Sequence, residues 1–120
     1  MDRTFLLLGA VAAFVAVTLG AFGAHGLRGR LSPEMMTVFQ TGVQYHMAHA
    51  LALILVSAMM GRMGGWLIQT AGWSFLAGIV LFSGSLYVLA ISGVTTFGAI
   101  TPIGGLAFLV GWACLAFAAI

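Results

Sequence analysis

Charge is what this sequence has least of. It contains no lysine, four arginines and two acidic residues, so charged residues make up 5% of its 120 positions, whereas an average soluble domain carries roughly 25%. So few charges cannot cover the surface of a water-soluble protein of this size. Intrinsic disorder is excluded as well, because it requires low hydrophobicity and high charge, and 62% of these residues are hydrophobic. The protein is therefore expected to have lipid as its solvent.

The sparse charges also exclude nucleic acid as a partner. A nucleic-acid-binding protein needs lysines and arginines clustered on one face. Here the basic residues are scattered along the chain as Arg3, Arg28, Arg30 and Arg62. The single cysteine, Cys114, has no second cysteine for an intrachain disulfide and no activating charge near it in sequence. We interpret it as a small residue packed between helices.

Soluble-enzyme chemistry finds no support either. Asp2 and Glu34 are the only acidic residues, so the sequence offers no carboxylate pair for acid–base catalysis. The lack of lysine excludes a phosphate-binding glycine loop with its lysine, and a Ser-His-Asp system would have only Asp2 as its acid. We therefore expect the protein not to be an enzyme.

Long uncharged stretches indicate how the chain is built. A hydrocarbon core of ~30 Å requires ~20 apolar residues in a helix that rises ~1.5 Å per residue. The sequence predicts an all-α, polytopic membrane protein, a single membrane domain over 1–120 folded as a four-transmembrane-helix bundle. The four helices are expected over about 4–25, 33–61, 65–92 and 102–120.

Two proline-containing motifs predict where helices begin. Ser32-Pro33-Glu34 is typical of an N-cap, a first-turn proline and a carboxylate near the positive end of the helix dipole. A helix from Pro33 to Met60 would be ~42 Å long, so the second helix should extend beyond the hydrocarbon core into the interface. Thr101-Pro102 repeats the pattern, which predicts Thr101 as the N-cap of the fourth helix.

Orientation is weakly encoded. Four spans place both termini and the turn at 61–65 on one side of the membrane. Arg3 and Arg62 lie on that side, and Arg28 and Arg30 on the other, so the positive-inside rule favours neither orientation. Because the first helix often dominates, we expect the termini on the cytoplasmic side of the cell inner membrane. Insertion in both orientations is the alternative.

Small residues form two helical stripes. Lipid provides no hydrophobic drive between helices, so close packing depends on small side chains. The expected packing positions are Ala12, Ala16 and Gly20 in the first helix and Gly104, Ala107 and Gly111 in the fourth. We interpret both stripes as packing surfaces within the chain; the alternative is a homo-oligomer face, or contact with a larger membrane complex.

The polar residues within the predicted spans are few. His46 and His49 are three apart and share a helical face, and His25 ends the first helix near the same membrane surface. Three imidazoles would suit Zn²⁺ or another transition metal, or axial ligation of haem. A ligand or proton-handling pocket is a second interpretation. The third, which we favour and which requires no cofactor, is hydrogen bonding between helices. The candidate cluster comprises His25, Tyr45, His46, His49, Ser83 and Ser85.

These residues also carry a resemblance to a known family. The chain resembles the YgdD/YwdK family of small bacterial membrane proteins, a domain of unknown function, in the runs GAFGAHGL at 20–27, QYHMAHA at 44–50, FSGSLY at 82–87, TPIGG at 101–105 and GW at 111–112. The resemblance implies a multi-pass inner-membrane protein of four helices. It implies no established activity and therefore no catalytic residues. The positions that match its recognisable residues are His25, Tyr45, His49, Ser85, Pro102 and Gly105.

Three functions compete at this point. The first is a non-enzymatic packing, scaffold or assembly subunit of the membrane, suggested by the small-residue stripes. The second is a small transporter or channel, suggested by the balanced arginines, although the first helix lacks the carboxylate that proton-coupled export ordinarily needs. The third is a metal-binding or haem-binding membrane subunit that uses His25, His46 and His49.

Overall fold

The computed structural model describes residues 2–120, and every regular element in that range is helical. Four helices are long and apolar enough to cross a membrane: α1 (Arg3–Leu27), α2 (Pro33–Met60), α3 (Trp66–Ser92) and α4 (Thr95–Ala119). The predicted all-α, four-span architecture is confirmed.

Two of the helices contain a short π-helical segment. In α1 it covers Leu19–Gly23, and in α3 it covers Ile79–Ser83. A π-turn inserts one extra residue and rotates the side chains that follow it. In α3 the segment ends on Ser83, which bonds to α2, and Ser85, which bonds to α4, follows two residues later.

The helix starts agree with the proline motifs in one case and not in the other. The Ser32 hydroxyl accepts a hydrogen bond from the Met35 backbone N–H at 3.1 Å, so α2 begins as predicted. The prediction that Thr101 caps α4 is wrong, because the residue before its α-helical part is Ile100 and no side chain caps it. The Thr101 hydroxyl is instead 2.6 Å from that of Ser85, and a 3₁₀ turn over Thr95–Ala99 precedes it.

The order of packing follows the chain. α1 packs along α2, α2 along α3, and α3 along α4. More of α2 and α3 than of α1 and α4 is buried inside the bundle. α2 is a continuous α-helix of 28 residues, about 42 Å at 1.5 Å per residue, and the bundle is 47 Å long. The two inner helices therefore support most of the interior side chains.

An apolar cluster fills the half of the bundle nearest the connection between α2 and α3. It consists of Phe5, Ala52, Leu53, Val56, Ile68, Ala71, Phe75, Ile79 and Phe108. Several of its rings lie directly on glycines of another helix. A Cβ added at Gly72 would lie 2.5 Å from Cζ of Phe5, and one at Gly111 would lie 2.5 Å from Cε1 of Phe75. The glycines thus provide the space that the phenylalanine rings occupy.

The two predicted small-residue stripes lie inside the chain. In α1, Ala16 is fully buried, Ala12 packs against the apolar cluster, and a Cβ on Gly20 would lie 3.1 Å from Cγ1 of Val43 in α2. In α4, Ala107 is half-buried. The other two positions of that stripe, Gly104 and Gly111, are buried against Phe82 and Phe75 of α3.

At Gly104 the backbones of α3 and α4 approach closely. A Cβ at this position would run into the backbone N and Cα of Phe82. Backbone atoms of a helix cannot move aside as a flexible side chain can, so α3 and α4 reach their observed separation only with glycine here.

Candidate functional site

His49 connects α2 to α4. Its Nδ1 is 2.8 Å from the Tyr45 backbone carbonyl, one turn earlier, and its Nε2 accepts a hydrogen bond from the Trp112 indole N–H at 3.0 Å. A carbonyl can only accept and an indole N–H can only donate. The hydrogen-bond network therefore assigns His49 as the neutral tautomer with its proton on Nδ1.

His46, one turn earlier on α2, connects that helix to two others. Its Nδ1 is 2.8 Å from the Tyr87 hydroxyl of α3, and its ring lies near the backbone carbonyl of Ala12 in α1. A carbonyl can only accept, which favours a proton on the ring nitrogen that faces it and leaves Nδ1 to accept the Tyr87 hydroxyl proton. His46 therefore bonds α2 to α3 and lies against α1.

Ser83 and Ser85 hydrogen-bond α3 to α2 and α4, toward the end of the bundle away from the connection between α2 and α3. The Ser83 hydroxyl donates to the Gly42 backbone carbonyl of α2 at 2.7 Å. Ser85 donates to the Phe82 carbonyl at 2.9 Å and lies 2.6 Å from the Thr101 hydroxyl of α4. Neither serine reaches the histidines, so their role is to connect α3 to its two neighbours.

Together these side chains form a set of polar contacts, called here the polar network, that joins α2, α3 and α4: His46, His49, Ser83, Ser85, Tyr87, Thr101 and Trp112. Ser83, Ser85, Tyr87 and Thr101 lie in the half of the bundle opposite the apolar cluster, whereas His49 and Trp112 lie against Phe75 and Phe108 of that cluster. Throughout residues 2–120, no buried side-chain nitrogen or oxygen lacks a hydrogen-bond partner. The buried polar groups are thus satisfied within the chain, as an apolar environment requires.

Aromatic rings surround His49 at the boundary between the two halves. Its imidazole stacks on Phe108 with ring centroids 3.6 Å apart and planes 11° from parallel. Phe75 lies 5.5 Å away and Trp112 5.8 Å away, both inclined to the imidazole. One stacked ring and two inclined rings hold the imidazole in one orientation, so the hydrogen bond to Trp112 is held as well.

The structure brings together only part of the predicted cluster. His46 and His49 are buried at one turn's spacing, whereas His25 is exposed in the last turn of α1. Within the described range, no group of three or more His, Cys, Asp or Glu side chains is placed to hold a metal ion. His25 therefore does not complete a ligand set with the other two histidines. The fit to zinc or haem is poor, because both nitrogens of His49 and Nδ1 of His46 already have partners.

Tyr45 contributes its backbone and its ring rather than its hydroxyl. Its side chain is 44% exposed, which places it on the outside of α2. Its ring packs against Phe82 at 4.6 Å and stacks with Phe108 at 6.3 Å. It covers the network from the lipid side.

The partners of the predicted residues lie outside the candidate cluster: they are Tyr87, Trp112 and Thr101, the last of which was predicted as a helix cap. A signal was present, because Trp112 lies near the middle of its span, where an unpaired indole N–H would be costly in lipid. The sequence separation of 63 residues between Trp112 and His49 gave no indication of which acceptor it would meet.

Comparisons with known proteins agree with this architecture. A family model described as "Protein of unknown function (DUF423)" matches residues 19–105. The chain belongs to this family. The UPF0382 membrane protein YwdK of Bacillus subtilis is 50% identical over 119 residues, which are 98% of this chain and 97% of its own length. The UPF0382 membrane protein SH2409 of Staphylococcus haemolyticus is 46% identical over 113 residues, 94% of this chain and 92% of its own. No solved structure matches the chain significantly.

Membership of the DUF423 family confirms the resemblance drawn from the sequence runs. The relatives are named membrane proteins and cover nearly the whole chain, so all four spans fall within the similarity. The chain is accordingly a membrane protein of this family. The DUF423 match also contains most of the polar network, with Trp112 beyond its end at residue 105.

Proposed function

We propose that this protein is a non-enzymatic structural subunit of the membrane, one that acts by packing and assembly. The observation that carries the proposal is the use of the buried imidazoles within the bundle. Both nitrogens of His49 are bonded, to Tyr45 and to Trp112, and Nδ1 of His46 is bonded to Tyr87. His49 has no lone pair left for a metal ion or a substrate, so the histidines act as connectors between helices.

A proton-coupled transporter would require the buried histidines to change their protonation state rather than to keep fixed hydrogen bonds. It needs a group within the membrane that takes up and releases a proton during each cycle. Protonation of His49 would convert its Nε2 from acceptor to donor and break the bond to Trp112, which has only a hydrogen to offer. The geometry therefore favours a fixed bundle over one that cycles.

We place the protein in the cell inner membrane with both termini in the cytoplasm. Two arginines lie on each side of the membrane, so the orientation has to be measured by labelling. The single native cysteine, Cys114, simplifies that experiment. In a Cys114→Ala background, Arg62→Cys should be shielded from an impermeant maleimide added to intact cells, and Arg30→Cys should react. Reaction of Arg62→Cys alone would reverse the orientation, and partial reaction of both would indicate dual insertion.

The proposed function is tested on protein extracted from its native membrane in a mild detergent. Light scattering should give a protein mass well above the 12.5 kDa of one chain, and a lone monomer would overturn the assembly role. The same preparation should be colourless and without stoichiometric metal. Proton flux into proteoliposomes that disappears in a His49→Gln variant would instead establish transport.

A further inference from the structure

A groove runs along the outside of the bundle where α1 ends and α2 begins. It consists of two adjoining cavities of about 330 Å³ and 220 Å³, which share Ala24 and Gln40 in their walls. The first cavity lies beside the connection at residues 28–32, and the second extends about one further turn, ~6 Å, along both helices toward the bundle centre. The groove therefore leads from the membrane surface into the span.

The outer cavity is lined by a cation and an amide. Arg28 and Gln40 both contribute to its wall. Both side chains are exposed, and within residues 2–120 neither has a hydrogen-bond or ion-pair partner. Glu34, the nearest acidic residue in sequence, is not among the lining residues. The outer cavity thus presents unpaired donors with one positive charge and no negative charge.

The backbone holds Arg28 at this position. Its own N–H bonds to the His25 carbonyl at 3.3 Å, and the Arg30 N–H bonds to the Leu27 carbonyl at 2.9 Å. Gly29 between them has φ = +83°, a conformation open to glycine at little cost. The backbone that carries the guanidinium is therefore already hydrogen-bonded, so binding an anion does not require that this turn be ordered.

The inner cavity reaches farther into the span. Its walls combine the amides of Gln40 and Gln44 with the apolar surface of Gly20, Ala24, Phe39 and Val43. The π-helical segment of α1 over Leu19–Gly23 runs along it. A cationic mouth that continues into a groove with one apolar side suits a phospholipid, whose phosphate lies at the interface and whose acyl chain lies in the core.

We propose that this groove binds one anionic phospholipid, with its phosphate between Arg28 and Gln40 and the start of one acyl chain against Gly20 and Val43. Guanidinium and amide N–H groups are donors suited to phosphate oxygens. The absence of an acidic lining residue leaves the ammonium of a zwitterionic headgroup without a partner, and Arg30 nearby adds positive charge, so a net-negative lipid is preferred.

The experiment compares two arginines of the same turn by native mass spectrometry of the full chain with added phosphatidylglycerol or phosphatidylcholine. The wild type should retain one phosphatidylglycerol and little phosphatidylcholine. Arg28→Gln should weaken phosphatidylglycerol retention about tenfold, whereas Arg30→Gln, at a position that is also exposed but lies outside the groove, should change it less than about twofold. Equal losses in both variants would overturn the proposal in favour of diffuse attraction to the positive turn.

Two further measurements separate the lipid from other occupants. Ala24→Leu would place bulk at the junction of the two cavities and should abolish lipid retention while circular dichroism shows an intact helical bundle. Unchanged retention would contradict the assigned acyl position. Displacement of the lipid by excess inorganic phosphate would show a site for small anions instead. A change of Ala24→Leu from dimer to monomer, independent of lipid, would show that a second copy fills the groove.

Discussion

The two halves of the bundle are held together by different interactions. In the half near the connection between α2 and α3, rings of one helix fill the space above glycines of another, as Phe5 does on Gly72 and Phe75 on Gly111. In the other half, the helices approach through hydrogen bonds such as those of Ser83 to Gly42 and of Ser85 to Thr101. His49 takes part in both kinds of interaction, because its ring stacks on Phe108 of the apolar cluster and accepts a hydrogen bond from the Trp112 indole.

This difference shows how a chain with little charge specifies one arrangement in lipid. Apolar side chains gain no transfer free energy by leaving lipid for the interior, so the apolar half is stable only through close fit and dispersion. Each hydrogen bond in the polar half contributes modestly, on average ~0.6 kcal/mol. It is directional, however, and a buried polar group without its partner is penalised. We infer that the apolar half provides most of the stability and the polar half fixes the rotation of each helix.

The largest effect is expected where two helix backbones meet. Gly104→Ala adds a methyl group against the backbone of Phe82, so α3 and α4 must separate and loosen both halves at once. We expect unfolding in SDS to become easier by about 3 kcal/mol. Gly105→Ala is the matched control, because a Cβ there would lie 3.9 Å from the Phe82 ring, an ordinary contact. Equal stability of the two variants would contradict the close approach.

A smaller loss is expected from a cavity confined to the apolar half. Leu53 is fully buried in that cluster, and Leu53→Ala removes dispersion contacts that lipid cannot replace inside the bundle, with an expected loss of about 2 kcal/mol in the free energy of unfolding. Leu55→Ala, on the same helix with its side chain 45% exposed, should leave that free energy unchanged. Equal losses in both would mean that the cluster is not the main source of stability.

Much of this fold follows from local signals in the sequence. The four spans were predictable because charge is confined to the helix ends and connections, and the start of α2 was predictable because proline is favoured at the first position of a helix, as at Pro33. Thr101 shows the limit of such reasoning. Its hydroxyl could cap its own helix or hydrogen-bond to a distant side chain. In the structure it lies within hydrogen-bond distance of Ser85, 16 residues earlier in the chain.

The candidate site was less predictable than the spans. The shared face of His46 and His49 follows from their spacing, but their partners depend on the rotation of α1, α3 and α4 about their own axes. The pairing of rings with glycines depends on the same rotations, as for Phe108 on Gly78. Sequence periodicity indicates which face of a helix is small or polar, and only the packed bundle determines what that face meets.

The smallest effect should come from removing one hydrogen bond of the polar network, that from Trp112 to His49. This variant best separates hydrogen bonding from ring packing. Trp112→Phe keeps an aromatic ring beside Phe75 but removes the N–H that His49 accepts. The free energy of unfolding should fall by only about 0.6 to 1.7 kcal/mol, while ¹⁵N NMR of the His49 imidazole should change markedly, because Nε2 loses its donor. Trp66→Phe, at a position 73% exposed, should alter neither. An unchanged His49 spectrum in Trp112→Phe would mean that this bond does not fix the tautomer, and that the polar half is held by packing in the same way as the apolar half.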